Sequence, residues 1–338
     1  MLSKLTSILT APVADLAWPE FTPEGLRTAL ILIGFAVLFA LEARFGYRKS
    51  LAKITRQSYV SNTATFVLND TLMSLLSVSS LLLVAERYGD MGILAQISSP
   101  FWQAVLSLVL LDLVLYLWHR ANHAFEWLWM FHKVHHSDRS MNVSTAFRLH
   151  FGEVLLTTLV KVVFILVTGV DPAILLLNET LITLNVMFHH ANLAFRGESR
   201  LARLLVVPYL HRVHHSVRRD EHDNNYGALF SVWDRMFGTL AELEPVEIGL
   251  KQVAAQNFLE LVKFGLTPVY SPSGQAVQAM IAEAAYYKAE KRGFAPGCDF
   301  LDWLEAEKEI KARIKTGDRS KKGGKRSRLF DAWMIESE

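Results

Sequence analysis

Long apolar stretches alternate with short polar segments along the first two thirds of the chain. Residues 28–43, 66–85 and 102–118 are each long and apolar enough to cross or nearly cross a bilayer. A fourth apolar region, 153–188, is interrupted by Gly-Val-Asp-Pro at 169–172, which predicts a turn between two short spans. The pattern therefore predicts an all-α integral membrane protein with about four to five crossing or half-crossing helices.

The charges between these stretches predict an orientation. The loop after the first stretch carries five basic residues, Arg44, Arg48, Lys49, Lys53 and Arg56. The loop at 86–100 has one base against two acids. Because basic loops stay in the cytoplasm, the third stretch should deliver His119 to the cytoplasmic face, and the hairpin of 153–188 should return His189 and His190 there. The alternative, a soluble protein with buried core helices, is disfavoured by the length of the apolar runs.

The rest of the chain is more polar and divides at linkers. Residues 208–243 are charged and should cap the cytoplasmic ends of the spans. A short amphipathic stretch, 256–268, and a Pro/Ser/Gly linker follow. We predict the following division: N-terminal spans at 1–100, a histidine-rich catalytic region at 101–245, an amphipathic segment and linker at 246–274, a small helical module at 275–315, and a disordered basic tail at 316–338.

Composition agrees with a membrane protein and limits the chemistry. Hydrophobic residues make up 51% of the chain, charged residues 20%, and the mean hydropathy is +0.22. A net charge of +2 gives no support for a nucleic-acid partner. The single cysteine, Cys298, excludes an internal disulfide and any site built from several thiolates. A bound metal must therefore be held by nitrogen and oxygen. No convincing cleavable signal peptide opens the sequence.

Histidines are concentrated where the apolar stretches end. Five of the twelve fall between residues 119 and 136, and the spacing H-x-x-H-H occurs twice, at 132–136 and 211–215. On a helix, residues three and four apart share a face, so each group can present several imidazoles to one metal or bridge a pair. The predicted metal ligands from this spacing are His119, His123, His132, His135, His136, His211, His214 and His215. Interfacial histidines that contact lipid headgroups are the alternative.

Asp112 and Tyr116 continue the helical stripe of His119 and His123 toward the middle of the third stretch. An aspartate inside an apolar span is costly unless it is paired or functional. We expect Asp112 to accept a hydrogen bond from a ligating imidazole. The alternative is a polar stripe that packs against another helix.

The histidine segments and their surroundings resemble, in order, the motifs of the fatty acid hydroxylase / sterol desaturase superfamily. The motifs are D-x3-Y-x2-H-R-x2-H at 112–123, F-H-x2-H-H at 131–136, R-x-H-x2-E at 148–153, H-x-N at 190–192, H-R-x-H-H-S at 211–216, D-x-N-Y-G at 223–227 and W-D-R-x-F-G-T at 233–239. The resemblance covers about residues 100 to 240. It implies a helical membrane fold, a centre of two iron ions (Fe), O2 as oxidant, and a lipid substrate that is hydroxylated or desaturated.

The resemblance also extends the set of site residues. It adds His190 as a metal ligand in preference to His189, although Val186 stands where some family members carry a further histidine. Residues expected to be ligands or to support the ligands are His150, His189, Asp112, Tyr116, Glu153, Asn192, Asp223, Asn225 and Tyr226. For His150 both roles stay open, and for His189 packing is an alternative. Residues 233–235 are interpreted as structural, and His222 as a surface residue.

Two electrons per turnover must come from a separate ferredoxin, cytochrome or reductase, because the chain has no recognisable haem, flavin or iron–sulfur segment. A histidine-rich membrane transporter or sensor, and a metal-free structural protein, are the competing functions. A second resemblance, at 281–310, is to a short bacterial helical module of unknown function, which indicates a bacterial inner membrane. A pair between Lys161 and Glu179 is also possible across the hairpin.

Overall fold

The computed structural model of the chain describes residues 22–75, 81–250, 253–254, 256–267 and 274–321. The helices of these residues are α1 (Pro23–Phe45), α2 (Ala52–Leu75), α3 (Leu81–Tyr88), α4 (Pro100–Ala124), α5 (Glu126–His136), α6 (Phe151–Thr168), α7 (Pro172–His190), α8 (Glu198–Leu201), α9 (Pro208–His214), α10 (Arg219–His222), α11 (Val232–Met236), α12 (Phe258–Leu266), α13 (Gly274–Lys291) and α14 (Asp299–Lys321). A 3₁₀ turn, Val143–Phe147, separates α5 from α6. The described residues form no strand beyond two isolated bridges, so the predicted all-α class is confirmed.

Four of the described helices, α1, α4, α6 and α7, are long and apolar enough to cross a membrane. Helix α1 has no fully buried residue in its apolar stretch. Ile31, Phe35 and Leu38 pack partly against the protein, whereas Leu32 and Ile33 point outward, as expected for a helix with one face toward lipid. The predicted integral membrane architecture is therefore confirmed. The predicted span at 66–85 differs: its residues 76–80 lie outside the described part, and the rest belongs to α2 and the short α3.

Helix α2 has a polar sequence, and its polar side chains face the interior of the protein. Its buried side chains include Ser58, Asn62 and Asn69, which hydropathy alone assigns to the surface. The Asp138 carboxylate accepts hydrogen bonds from Ser58 Oγ at 2.7 Å and Asn62 Nδ2 at 3.1 Å. A buried polar network of this kind is stable only when its members are paired.

Arg148 completes the network from the other side. Its guanidinium is buried and donates to Asn62 Oδ1 at 3.0 Å, to the Val134 carbonyl and to Ser137 Oγ. Val134 and Ser137 lie at the end of α5, beside the predicted ligands His135 and His136. The network therefore joins α2, α5 and the segment after the 3₁₀ turn, and it fixes the end of the helix that carries one histidine triplet.

The hairpin of α6 and α7 turns where the sequence predicted. Helix α6 ends at Gly169 with φ +60, a left-handed conformation that favours glycine. A Cβ at Gly169 would meet the Gly92 backbone nitrogen at 2.3 Å, so no larger residue fits. The Asp171 carboxylate then accepts from the backbone N–H groups of Ala173 and Ile174, and Pro172 begins α7.

The C-terminal helices α13 and α14 form a small helical pair. Ile281, Ala306 and Ile310 are buried between them, and Lys288 forms ion pairs with Glu305 and Glu309. The pair coincides with the small helical module predicted at 275–315, except that α14 continues to Lys321. The first residues of the predicted disordered tail are thus helical, and residues 322–338 lie outside the described part.

The ion pair predicted across the hairpin is confirmed: Lys161 Nζ lies 2.7 Å from Glu179 Oε2, and both side chains are largely buried. Removal of one partner leaves an uncompensated charge in an apolar environment, which costs about 3–5 kcal/mol. We therefore predict that Lys161→Met and Glu179→Met each lower the free energy of unfolding by about 3 kcal/mol. The double variant should recover most of the loss. Denaturant titration in detergent tests this, and two single variants as stable as the wild type would contradict it.

Candidate metal centre

Nine predicted ligands converge from four segments of the chain. Helix α4 contributes His119 and His123 near its end, and α5, α7 and α9 contribute the residues of their last turns. His215 follows α9 directly. Except for His119, which is part-buried, these side chains are at most 5% exposed. The two histidine groups, far apart in sequence, therefore share one site.

The first cluster contains His119, His123, His132, His136 and His214, and one ring nitrogen of each lies within 4.8 Å of the others. His119 Nε2 is 3.0 Å from His132 Nε2, and His123 Nε2 is 3.1 Å from His136 Nε2. The Nε2 atoms of His132 and His136 are 3.2 Å apart. Two nitrogens that lie about 2.1 Å from one metal, at right angles, are about 3 Å apart. The spacing therefore fits a single cation.

The second cluster contains His135, His190, His211 and His215. His190 Nε2 lies 3.0 Å from the Nε2 atoms of both His135 and His211. His215 has no hydrogen-bond partner on either ring nitrogen within the described residues, although its ring is fully buried. An orphaned buried imidazole of this kind is explained by a missing ligand. The two clusters are in contact, since the ring centroids of His136 and His215 are 4.7 Å apart.

Each H-x-x-H-H triplet is divided between the clusters. His132 and His136 belong to the first cluster and His135 to the second. In the other triplet, His214 belongs to the first cluster, whereas His211 and His215 belong to the second. Of the two arrangements that the spacing allowed, one shared metal or a bridged pair, the structure has the geometry of a bridged pair.

The close Nε2 atoms of His119 and His132 are not paired by a hydrogen bond. His119 Nδ1 lies 2.8 Å from the Tyr226 carbonyl, and His190 Nδ1 lies 2.7 Å from the Val186 carbonyl. A carbonyl only accepts, so Nδ1 carries the proton and the Nε2 of a neutral ring presents a lone pair. His132 Nδ1 likewise donates to Glu153 Oε1 at 2.6 Å. Lone pairs that face each other at 3 Å repel, and a cation between them removes the repulsion.

Three predicted supporting residues hold ligand rings. Besides Glu153, the Asp223 carboxylate lies 3.0 Å from His123 Nδ1, and the Tyr226 backbone holds His119. His214 Nδ1 donates to the Asn224 carbonyl at 2.7 Å. Such contacts fix the tautomer and orientation of a ligating imidazole. Asn224 was not predicted, and its contact through the backbone leaves no signal in the residue type.

The prediction for Asp112 is wrong. Its carboxylate accepts no hydrogen bond from an imidazole; it accepts from the backbone N–H groups of Leu229 and Phe230 and from Trp233 Nε1 at 2.8 Å. The residue is fully buried and joins α4 to the segment before α11. This is the alternative of a polar stripe that packs against another element, and it supports the structural interpretation of Trp233.

Three other predicted residues also form hydrogen bonds that hold segments of the fold together. Tyr116 Oη bonds Thr239 Oγ1 at 2.8 Å. The Asn192 amide pairs with the backbone of Arg48. Asn225, which has φ 56, bonds the Leu210 carbonyl beside His211 and the backbone of Ala241. None of the three contacts a ligand nitrogen, so their effect on the site is indirect.

His150 and His189 lie outside both clusters. His150 caps α6, since its Nδ1 accepts from the Gly152 N–H, and its ring stacks on Phe131. The structure thus supports neither of the two roles expected for His150, metal ligand or support of a ligand. His189 is buried with its ring 4.0 Å from that of His211. That contact fits the packing role.

His222 is a functional candidate that the sequence prediction placed wrongly at the surface. It is 5% exposed, its ring stacks on Trp129, and it forms a third group with His123 and Asp223. Its Nδ1 donates to the Ser216 carbonyl at 3.0 Å. The surrounding sequence, Arg-Arg-Asp-Glu-His-Asp at 218–223, is so charged that composition gave no sign of burial.

Comparison with known proteins matches the catalytic region and the C-terminal module separately. Residues 104–239 match the profile of the family described as fatty acid hydroxylase. Residues 276–312 match a second family, described as a protein of unknown function. Residues 104–239 form a fatty acid hydroxylase domain. The predicted family and its oxidoreductase class are thereby confirmed, and the second match overlaps the module recognised at 281–310.

Relatives of the fatty acid hydroxylase domain act on different lipids. Ornithine lipid hydroxylase OlsE of Rhizobium tropici is 26% identical over 293 residues, which cover 77% of this chain and 86% of the relative. Alkylglycerol monooxygenase of Danio rerio is 26% identical over 258 residues, which cover 73% of this chain and 54% of the relative. Cholesterol 25-hydroxylase of Mus musculus is 27% identical over 138 residues, or 40% of this chain and 46% of the relative. The alignments thus span about half the length of the latter two. No solved structure matches.

Burial disfavours the protonated form of five imidazoles outside the spanning helices. Burial first, and then neighbouring imidazoles, lower the pKa values of the following rings well below the usual 6.5: His135, His136, His211, His214 and His215. In the unfolded chain the same rings take up protons near pH 6.5, so below this pH the unfolded state binds more protons than the folded state. The stability they contribute is present above pH 6.5 and is lost as the pH falls.

We therefore predict that the metal-free protein loses stability steadily between pH 7 and pH 5. Each neutral buried ring contributes up to about 1.4 kcal/mol per pH unit in this range. Thermal unfolding of chelator-treated protein, followed by tryptophan fluorescence in detergent, measures the effect. As a matched control, the double variant His211→Gln/His215→Gln should show a shallower pH dependence. An unfolding midpoint that does not change with pH would contradict the prediction.

Proposed function

We propose that the chain is a membrane-bound di-iron oxygenase that hydroxylates a C–H bond of a lipid. One observation carries the proposal: two adjacent clusters are each built from four or five imidazoles whose ring nitrogens converge. Imidazole is a good ligand for iron, and a fatty acid hydroxylase domain provides the context. The second half of the predicted reaction pair, desaturation, is less favoured because the relatives are named hydroxylases and monooxygenases.

The two clusters assign the ligands. His119, His123, His132, His136 and His214 would hold one iron, and His135, His190, His211 and His215 the other. Neither group includes a carboxylate. Carboxylates lie behind two of the rings. Glu153 and Asp223 accept hydrogen bonds from the Nδ1 atoms of His132 and His123. They would offset part of the charge of the cations and keep both rings in the tautomer that ligates.

Iron, when bound, would supply the reduction of O2 and the cleavage of the C–H bond. In the balanced reaction one oxygen atom enters the product as a hydroxyl group and the other leaves as water. Two electrons and two protons must therefore be delivered, and a separate ferredoxin, cytochrome or reductase is the proposed donor.

The protein contributes position and a dry environment. The rings of Trp129 and Tyr226 cover the first cluster, with ring centroids 4.9 Å and 5.1 Å from that of His123. The backbone carbonyls of Val186, Asn224 and Tyr226 fix three further imidazoles without adding charge. Exclusion of water protects reactive oxygen from side reactions and favours attack on the bound lipid.

The predicted location gives this chemistry access to membrane lipids. The four apolar helices would cross the inner membrane of a bacterium. The clusters would lie at the cytoplasmic face, because Arg48 and Lys49 of the basic loop after α1 line one cavity with Ala191 and Arg212, which adjoin cluster residues. Within this arrangement residues 1–100 and 101–245 would act together, as membrane anchor and catalytic domain. Residues 246–274 would join them to the helical module at 275–315 and the basic tail at 316–338.

The competing transporter or sensor would need a second set of ligands along the spans. Among the described residues, the one further group able to hold a metal, His123 with His222 and Asp223, shares a histidine with the first cluster. No specific contact therefore favours transport over oxygenation.

The proposal is tested by complementing a deletion strain of the source bacterium. Mass spectrometry of its membrane lipids should show the loss of a species that carries one additional oxygen atom, and wild-type protein should restore it. We predict that His135→Ala and His214→Ala, one from each cluster, restore none of it while the protein still inserts in the membrane. Each should also contain fewer than the two irons per chain expected for the wild type.

A third variant tests whether the losses are specific to histidines of the two clusters. His150→Gln replaces a buried imidazole that lies outside both clusters, so iron content and the oxygenated lipid should both be retained. Normal product from the double variant His135→Ala/His214→Ala would overturn the proposal. Unchanged iron in that variant would overturn the ligand assignment.

A further inference from the structure

A cavity of about 230 Å³ lies beside the second cluster. Its wall is built by the segments after α1, α5 and α7, by α9 and by residues 246–248. Two wall residues adjoin cluster residues, because Ala191 follows His190 and Arg212 follows His211. We call it the basic cavity, after the four cationic residues in its lining, Arg48, Lys49, Arg139 and Arg212.

The basic cavity has a surplus of positive charge. One carboxylate, Glu247, is part of the lining. A second carboxylate, Glu244, lies outside the lining and forms ion pairs with Arg48 at 3.1 Å and Arg212 at 3.6 Å. With both acids counted against four cations, a charge of about +2 remains in a concave site, where the field of like charges is focused.

The four cationic side chains differ in the contacts they already make with the protein. The Arg48 guanidinium is already hydrogen-bonded within the protein, since it donates to Glu244 and to the carbonyls of Pro245 and Val246. Lys49 and Arg139 are exposed, and no side-chain hydrogen bond or ion pair joins either to any described residue. These two cations are free to bind a ligand.

Arg212 is fixed in the wall of the basic cavity by contacts within the protein. Its side chain is only 3% exposed and its guanidinium lies 4.5 Å from the Tyr47 ring centroid. One terminal nitrogen donates to the Leu193 carbonyl at 2.8 Å, but the buried Nε has no acceptor among the described residues. Because Nε is shielded from the cavity, Arg212 contributes a fixed positive charge to the wall and not a free donor.

We propose that the basic cavity binds an anionic oxygen group, a phosphate or a carboxylate, of a lipid headgroup. The cavity volume of about 230 Å³ suits a headgroup. The predicted cytoplasmic face is also where anionic headgroups lie. That this headgroup belongs to the substrate rests on the proposed function; the binding of the anion does not. A substrate held there would have its polar end next to the second cluster, which would limit the carbons available for oxidation.

Binding to the purified full-length chain in neutral detergent tests the proposal. The probes are dioctanoyl-phosphatidylglycerol, dioctanoylglycerol with the same chains and no charge, and inorganic phosphate, with native mass spectrometry as the readout. The variant is Lys49→Gln/Arg139→Gln, because both side chains are exposed and their loss should not disturb folding. Arg200→Gln is the matched control, since it removes the same kind of charge from an exposed residue outside the cavity lining.

The wild type should bind the phosphatidylglycerol probe more tightly than the uncharged probe. The cavity variant should lose about tenfold or more in affinity for the anionic probe alone, since charge-assisted contacts are strong, while Arg200→Gln binds as the wild type does. Competition by millimolar phosphate would identify a free anion as the ligand, and no competition would identify the lipid headgroup. Equal binding of both lipids, or equal losses in the cavity and control variants, would overturn the proposal. The assay requires no turnover, so an inactive chain that still binds the anion would refute only the oxygenase function.

Discussion

Nine imidazole rings converge on two points in a water-poor interior, and where Nε2 lone pairs face each other, as between His119 and His132, they repel unless a cation lies between them. This constraint explains the features around the clusters. Backbone carbonyls or carboxylates take the Nδ1 protons of five of the rings and aim their Nε2 lone pairs inward: His119, His123, His132, His190 and His214. The folded chain thus carries a concentration of unfavourable contacts that metal binding relieves, and binding free energy becomes stability of the fold.

The polar groups buried among the apolar helices hold this arrangement. Asp112 joins α4 to the segment before α11, so the helix that carries His119 is fixed against the loop whose Tyr226 carbonyl orients that same ring. Arg148 and Asp138 do the same for the end of α5. Burial of each network costs desolvation free energy, which its hydrogen bonds offset only when every partner is in place. The site therefore depends on side chains that never contact a metal.

The sequence predicted well what depends on short-range patterns. The bounds of α1 and α4, the turn at Gly169 and the set of nine histidines follow from apolar runs, from a glycine–proline signal and from helical spacing, with His190 added by a family resemblance. It predicted poorly what depends on distant partners. Helix α2 hides its polar face against Arg148, His222 is buried by α5, and each triplet divides between two clusters because of the directions of facing helices. Spacing along one helix contains none of this information.

The central claim, that imidazole side chains hold two adjacent irons, is tested most directly by X-ray absorption spectroscopy of iron-loaded protein purified in detergent. The account predicts two irons per chain, with a first shell of nitrogen or oxygen scatterers at about 2.1 Å and the outer-shell pattern of several imidazoles on each metal. One iron per chain, or a spectrum without imidazole scattering, would contradict it.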